Sequence, residues 1–478
     1  MEIVLATINA KWIHPSLALR LLKANLGSLE HKCTILEFAL RQPLEEKTQA
    51  ILSFNPRILG FSVSIWNHLA TLELLKTLNV IWEQKPVVIL GGPEVSWLPE
   101  SAEIFMFADY VIRGEGEESF YTLCSEILCK TPLPFAAKTA VNTAVFINRG
   151  STTAPIDKIK TAYHLYSDED LQKKLIYAEA SRGCPFTCEF CQAPGKLREF
   201  PLEPFFAEME TLIKRGVGTI KFLDRTFNAN ISRAKKIMEF FLERIKVLGI
   251  ENKNGRPFTV HFEMVPSRFP GEIKEFLCRF PAGTLRLEIG IQTFNCKTAA
   301  LIQLSRNQTE IDEIIENLKF LRLKTSAILH VDLIAGLPGE NLTSFAAGFD
   351  LLWQNLSGGG PEQRFEIQLG ILKNLPGTPI ARHNEAYGMR YSDKPPYEVI
   401  ETAALSFAEL EKIKNFARFW ETIVNRNNFT DFVENYLPPG KPVFDKFMTL
   451  SQTLLKKFGK NWGLDRQELK VFLETQFY

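Results

Sequence analysis

The 478-residue chain has almost no charge imbalance: 56 lysines and arginines against 55 aspartates and glutamates leave a formal net charge of +1. No basic run breaks that balance, so nothing offers the positive field that tracks a phosphate backbone, and nucleic acid is not expected as a partner. Long apolar runs are also missing, since no stretch approaches the ~20 residues that span a bilayer. The opening MEIVLATINA has no basic segment and no small-residue cleavage site, so neither a secretory signal nor a membrane partner is expected. These absences point to a cytoplasmic protein. Cysteine is sparse, with eight in all, and there is no second C-x-x-C pair to complete a four-thiolate zinc site. Cys33, Cys124, Cys129, Cys278 and Cys296 are scattered and read as small buried hydrophobes in a reducing compartment.

What is present is a well-packed composition, 45% hydrophobic, in a chain long enough for about three domains. Across 1–150, strand-like runs alternate with amphipathic helical patterns: EIVLAT precedes SLALRLLKANL, ILGFSVS precedes HLATLELLKTLNVIW, and VVILGG precedes WLPESAEIFMF. This alternation predicts an α/β, doubly wound, Rossmann-like parallel sheet whose ligands sit beyond the carboxyl ends of the strands. Residues 151–174 turn polar and read as a linker. A second series fills 175–385, with strands LIYAEA, TIKFLD, FTVHFEM, TLRLEIGIQ, AILHVDLIAG and EIQLGIL. Six βα units in a row predict a partial (β/α)6 version of the TIM barrel, with its active site at the strand C-termini. Residues 386–478 show helical patterns and predict a helical C-terminal domain.

Just after the first strand of the second series stands SRGCPFTCEFCQAPG, with Cys184, Cys188 and Cys191 at the spacing C-x-x-x-C-x-x-C. A structural zinc site, a disulfide or chance would be the plain explanations. Three thiolates can also hold three irons of a [4Fe–4S] cluster, leaving the fourth iron open to a small molecule. The triad, with Phe190 before its third cysteine, resembles the signature of radical S-adenosylmethionine (SAM) enzymes. That resemblance implies that SAM completes the cluster and is cleaved to a 5′-deoxyadenosyl radical, with Phe190 beside it. It also implies that Asp224 and Arg225, in FLDRTFN, lie where the family contacts the SAM amino group. In LEIGIQ, period-2 alternation places Glu288, Gly290 and Gln292 on one face, opposite Leu287, Ile289 and Ile291. Such a face suits SAM's carboxylate or ribose, although Glu288 and Gln292 could instead be buried hydrogen-bonders under the helices. Asp332, in HVDLIAGLPGE, is a ligand contact or a strand-end cap. Glu263 points inward with His261 by the same alternation, in a role left open.

The N-terminal domain resembles the cobalamin-binding domain found ahead of one large group of radical SAM barrels. The resemblance rests on Gly91 and Gly92 in VVILGGPEVS, on Ser62 and Ser64 in GFSVS, and on the strand-to-helix turn RGEGEESF. It implies that these residues line the cobalamin cleft. Where many cobalamin domains carry D-x-H-x-x-G, this chain reads W-I-H-P-S-L from Trp12. The aspartate that would orient the imidazole is missing, so His14 is not expected to ligate cobalt. Methylthiotransferases, whose first domain carries its own three-cysteine cluster, are set aside because no such triad exists here. The implied activity is methyl transfer from methylcobalamin to an unactivated carbon of a small-molecule substrate, with an external electron donor such as flavodoxin or ferredoxin. Cyclisation, rearrangement or oxidation without methyl transfer uses the same cofactors, and a cobalamin or redox sensor is the non-enzymatic alternative.

Overall fold

The computed structural model describes residues 1–129, 144–148, 155–193, 195–249, 258–304, 311–358 and 365–477. The expected boundary at 150 and the first residues of the expected linker, 151–154, lie outside them. The chain forms two compact units, Met1–Ala180 with Arg198–Lys221, and Ser181–Leu197 with Phe222–Tyr478.

The first unit is built on six parallel strands: β1 (Ile3–Asn9), β2 (Cys33–Ala39), β3 (Ile58–Ser62), β4 (Val87–Gly91), β5 (Tyr110–Arg113) and β6 (Val145–Asn148). Their order is β2-β1-β3-β4-β5-β6, with every neighbouring pair parallel. Four helices accompany them: α1 (Leu17–Ala24), α2 (Leu44–Phe54), α3 (His68–Ile81) and α4 (Glu117–Cys129). All seven residues of β1 are buried, because alternate side chains feed two separate cores. Val4, Ala6 and Ile8 pack with Leu74, Leu75 and Leu78 of α3. Ile3 and Leu5 pack with Leu19 of α1 and Phe120 and Leu123 of α4. The strand order reverses between β1 and β3, which is where open α/β sheets of this topology bind ligands.

The polar stretch before the second series is well packed. A helix over Asp168–Lys173 starts on a Ser167/Asp170 capping box, and Tyr163, Tyr166 and Leu171 are buried. The buried Arg20 bridges Glu37, at 2.9 Å, and Asp170, at 3.0 Å, and lies over the Tyr166 ring.

The second sheet has β7 (Leu175–Ala178), β8 (Thr219–Phe222), β9 (Thr259–Met264), β10 (Leu285–Gln292), β11 (Ile328–Ala335) and β12 (Phe365–Ile371). Its order, β12-β11-β10-β9-β8-β7, follows the chain, and the pairings from β9 to β12 are parallel. Helices α5 (Leu202–Lys214), α6 (Ile231–Leu248), α7 (Gly271–Cys278), α8 (Ile311–Lys324) and α9 (Leu342–Leu356) alternate with the strands. Among the described residues, six sequential βα strands in an open order match the expected partial barrel. The C-terminal part is helical, as expected, with α10 (Phe407–Trp420), α11 (Thr430–Tyr436), α12 (Phe444–Phe458) and α13 (Arg466–Phe477). It is fixed by an aromatic cluster: Phe349 of α9 meets Phe416 at 5.2 Å and Trp420 at 4.7 Å, and Phe416 stacks on Phe444 at 4.8 Å. A short antiparallel pair, Arg390–Tyr391 with Val399–Glu401, precedes these helices and has no signal in the helical pattern. Among the described residues, no helix is long and apolar enough to cross a membrane.

Candidate functional site

The cysteine loop closes on itself through backbone contacts. Gly183 adopts φ +87°, and a Cβ there would collide with the carbonyl oxygen of Lys196. The Gly195 amide donates to the Cys184 carbonyl at 2.9 Å, so the two ends of the loop are pinned together. Cys184 and Cys188 are buried, and Cys191 is half-buried beside the equally half-buried Phe190. The Cys191 sulfur accepts from the Ala193 amide at 3.4 Å, and the Cys184 sulfur lies 3.7 Å from the Thr226 hydroxyl. Donors to thiolate sulfur are among the features that set a cluster's potential. All eight cysteines are outside disulfides, which removes that explanation of the spacing. Among the described residues, no three His, Cys, Asp or Glu side chains are close enough to hold a single metal ion. A cubane asks for one thiolate at each of three separate irons, and this donor set fits it.

Two of the polar residues at the end of β8 take different roles. Asp224 is buried and accepts the Ser181 hydroxyl at 2.5 Å. Arg225 is exposed and pairs with Glu263 at 3.0 Å. Its pKa is raised above the ordinary value chiefly by Glu263, with Cys191 and Glu288 adding to the effect. Arg225 therefore stands in the field of both the cysteine loop and the inner strand face.

That inner face is a connected polar row. Along β10, Arg286, Glu288 and Gly290 are half-exposed, whereas Leu285, Leu287 and Ile289 are buried. Register places Glu263 opposite Glu288, Glu288 opposite His330, and His330 opposite Glu366. Gly290 stands opposite Asp332. His261 reaches Glu288 at 3.2 Å, and His330 bridges Asp332 at 3.2 Å and Glu366 at 3.0 Å. Burial alone would lower the His330 pKa, but hydrogen bonds to Asp332 and Glu366 push it up to about 10. Glu288 thus lies on the expected face, and Asp332 joins it through the β10–β11 pairing. Gln292 does not continue the alternation. The register shifts between Gly290 and Gln292, and Gln292, at φ +71°, is buried. A bulge inserts one residue and breaks the two-residue period. Arg286, His330 and Glu366 were missed from the sequence, although the same alternation in TLRLEIG, LHVDL and FEIQL places them on this face.

In the first unit, the expected ligand residues cluster at the ends of β3 and β4, where Ser62 pairs with Gly91. Asn67 stands at the start of α3, and its side-chain oxygen accepts the Ser64 amide at 2.8 Å. A Cβ on Gly91 would meet only the Ile112 carbonyl, at 3.7 Å, and one on Gly114 would meet nothing within 4 Å. These two glycines leave room for a bulky ligand. Gly92 has a different reason to be glycine: it adopts φ +107°, and a Cβ would lie 2.5 Å from the Val63 carbonyl oxygen. The fold itself demands that residue, with or without a ligand. Three exposed tryptophans were also missed: Trp12, Trp66 and Trp97 follow the ends of β1, β3 and β4. The His14 Nδ1 shares a 2.8 Å hydrogen bond with the Tyr177 hydroxyl, and burial, then Lys11 and Lys221, lower its pKa.

Known families match the chain in this same order. A B12 binding domain matches residues 3–123, and the radical SAM superfamily matches 179–352. The chain thus carries a B12-binding domain followed by a radical SAM domain. The cofactor set of these two domains is cobalamin for the first and a [4Fe–4S] cluster with SAM for the second. A third family, described as a protein of unknown function, DUF4080, matches residues 385–470. The chain is 25% identical over 384 residues to the cobalamin-dependent radical SAM methyltransferase TokK of Streptomyces tokunonensis, covering 74% of this chain and 52% of that one. It spans about half the length of the curated relatives it matches. Its fold is shared with the radical SAM methyltransferase TsrM of Kitasatospora setae, solved with cobalamin and a [4Fe–4S] cluster bound. That match has TM-score 0.59 and 17% identity, over 83% of this chain and 78% of that one. It is also shared with the cobalamin-dependent SAM radical enzyme OxsB, with TM-score 0.66 and 14% identity, over 99% of this chain and 75% of that one.

Proposed function

We propose that the chain is a cobalamin-dependent radical SAM methyltransferase that methylates an unactivated carbon of a small molecule in the cytoplasm. The observation that carries this reading is the pairing of a three-cysteine loop, at the head of a six-stranded βα series, with a B12-binding sheet earlier in the same chain. When bound, the cluster with SAM supplies the oxidant for a substrate C–H bond, and cobalamin supplies the methyl group. Cys184, Cys188 and Cys191 hold the cluster. Phe190, Asp224, Arg225, Glu288 and Asp332 are the side chains available to SAM, with Gln292 displaced by its bulge. Ser62, Ser64, Gly91 and Gly92 frame the cobalamin cleft, and His14, already bonded to Tyr177, stays off the cobalt. An external flavodoxin- or ferredoxin-like donor supplies the electron.

Anaerobically reconstituted protein, given cobalamin, SAM and a low-potential reductant, tests the reading. Methyl transfer by this route consumes SAM in two ways, giving 5′-deoxyadenosine and S-adenosylhomocysteine. 5′-Deoxyadenosine without S-adenosylhomocysteine would shift the assignment to cyclisation, rearrangement or oxidation. Neither product would leave the sensor.

A further inference from the structure

Glu189 sits between Cys188 and Phe190, and its side chain is only 1% exposed. A buried carboxylate in a surface-reaching loop is costly unless paired, so its partners are informative. The His383 Nε2 lies 2.7 Å from the carboxylate, and the Arg382 Nε donates to it at 3.0 Å. The backbone is committed in the same direction: the Glu189 carbonyl accepts the Ile380 amide at 3.1 Å, and the Glu189 amide donates to the Ile302 carbonyl at 3.1 Å. A second tether comes from Gln192, whose side-chain amide donates to the Pro376 carbonyl at 2.7 Å. The turn that follows β12, residues 375–383, therefore grips the cysteine loop on both sides of Cys191.

We infer that Glu189 is a positioning residue for the iron–sulfur cluster, latched by His383 and Arg382 so that Cys188 and Cys191 are held at their ligating positions. This rests on the reading that the three cysteines bind a cluster. Within the loop the Cys191 amide donates to the Cys188 carbonyl at 3.1 Å, and the latch anchors that turn from a segment nearly 200 residues away in sequence. The Arg382 guanidinium also offsets the carboxylate's charge beside the cysteines, so the latch bears on the cluster's electronic environment as well as on its retention.

The test compares wild type with Glu189→Ala, Glu189→Gln and Arg382→Gln after anaerobic reconstitution. Arg382 is 55% exposed, so its replacement is compatible with folding. Three quantities are read: iron and sulfide per chain, the half-life of the cluster against an iron chelator, and the paramagnetic spectrum of the reduced cluster. Thermal unfolding of the apo chains is the control. Loss of an outer-shell partner costs about 10–100-fold in metal affinity, so Glu189→Ala should shorten the cluster half-life at least about tenfold and alter the spectrum. Glu189→Gln, which keeps one acceptor oxygen, should recover part of the loss, and Arg382→Gln should move in the same direction by less. A wild-type spectrum and half-life in Glu189→Ala would overturn the latch. So would a half-life that falls only in step with apo-chain unfolding. Absence of a cluster in the wild type would instead overturn the underlying reading.

Discussion

The two sheets use the same βα grammar and bury it differently. In β1 every residue is buried, because both faces of the first sheet carry a helix-backed core. In β11, burial alternates residue by residue, with Leu329, Val331 and Leu333 buried and His330 and Asp332 half-exposed. A sheet closed on both faces can present chemistry only where its strands end, so its proposed ligand residues are glycines and short hydroxyls in turns. A sheet closed on one face presents chemistry along the strands themselves, and there it carries carboxylates, histidines and arginines in register. The same chain therefore prepares two kinds of site: a cleft shaped by missing side chains and a face built from charged ones.

The contrast yields four measurements, in falling order of effect. Cys188→Ala should abolish the cluster while the fold persists, read as loss of iron, sulfide and visible absorbance with unchanged circular dichroism. Gly92→Ala should destabilise the protein by about 3 kcal/mol, because it combines a left-handed backbone with a steric clash. That loss should appear in denaturant unfolding of the apo protein, and a stable Gly92→Ala chain would contradict the close approach of Val63.

Third, the His330 network should leave a pH signature. A pKa raised from 6.5 to about 10 in the fold means the folded state holds its proton more tightly than the unfolded chain. The resulting stability is fully present below pH 6.5 and is lost as pH rises through 10. The stability gap between wild type and His330→Gln should therefore shrink steadily across that window, and a gap that is flat or widening would break the assignment. Smallest in stability terms is Gly91→Ala, where the added Cβ has room. It should stay within about 1 kcal/mol of wild type yet weaken cobalamin binding, read by titration of tryptophan fluorescence, since Trp12, Trp66 and Trp97 are exposed near the same strand ends. Unaltered affinity would remove Gly91 from the cleft.

Both sheets were legible in the sequence because apolar strand runs and amphipathic helices alternate without interruption. The cysteine loop was legible because its spacing is local. What stayed hidden needed register or three dimensions. The Gly290–Gln292 bulge leaves no mark in LEIGIQ, so the two-residue alternation reads straight through it. The row linking Arg286 to Glu366 joins residues that become neighbours only through strand pairing. The structural demand for glycine at 92 stayed hidden because the clash is with Val63, a residue that only the fold brings near. The Glu189 latch depends on a turn far along the chain, and no short motif announces it.

Arg20 sets a practical limit on dissecting this protein. Its guanidinium is buried between Glu37 and Asp170, and the latter lies well past the point where the alternating N-terminal pattern ends. A fragment cut near residue 150 would keep the cation and discard one of its two anions. Leaving a buried charge without a partner costs about 3–5 kcal/mol, and here half of the pairing would go. An isolated cobalamin-binding fragment should therefore run through Lys174, whose ammonium in turn pairs with Asp170 at 2.8 Å.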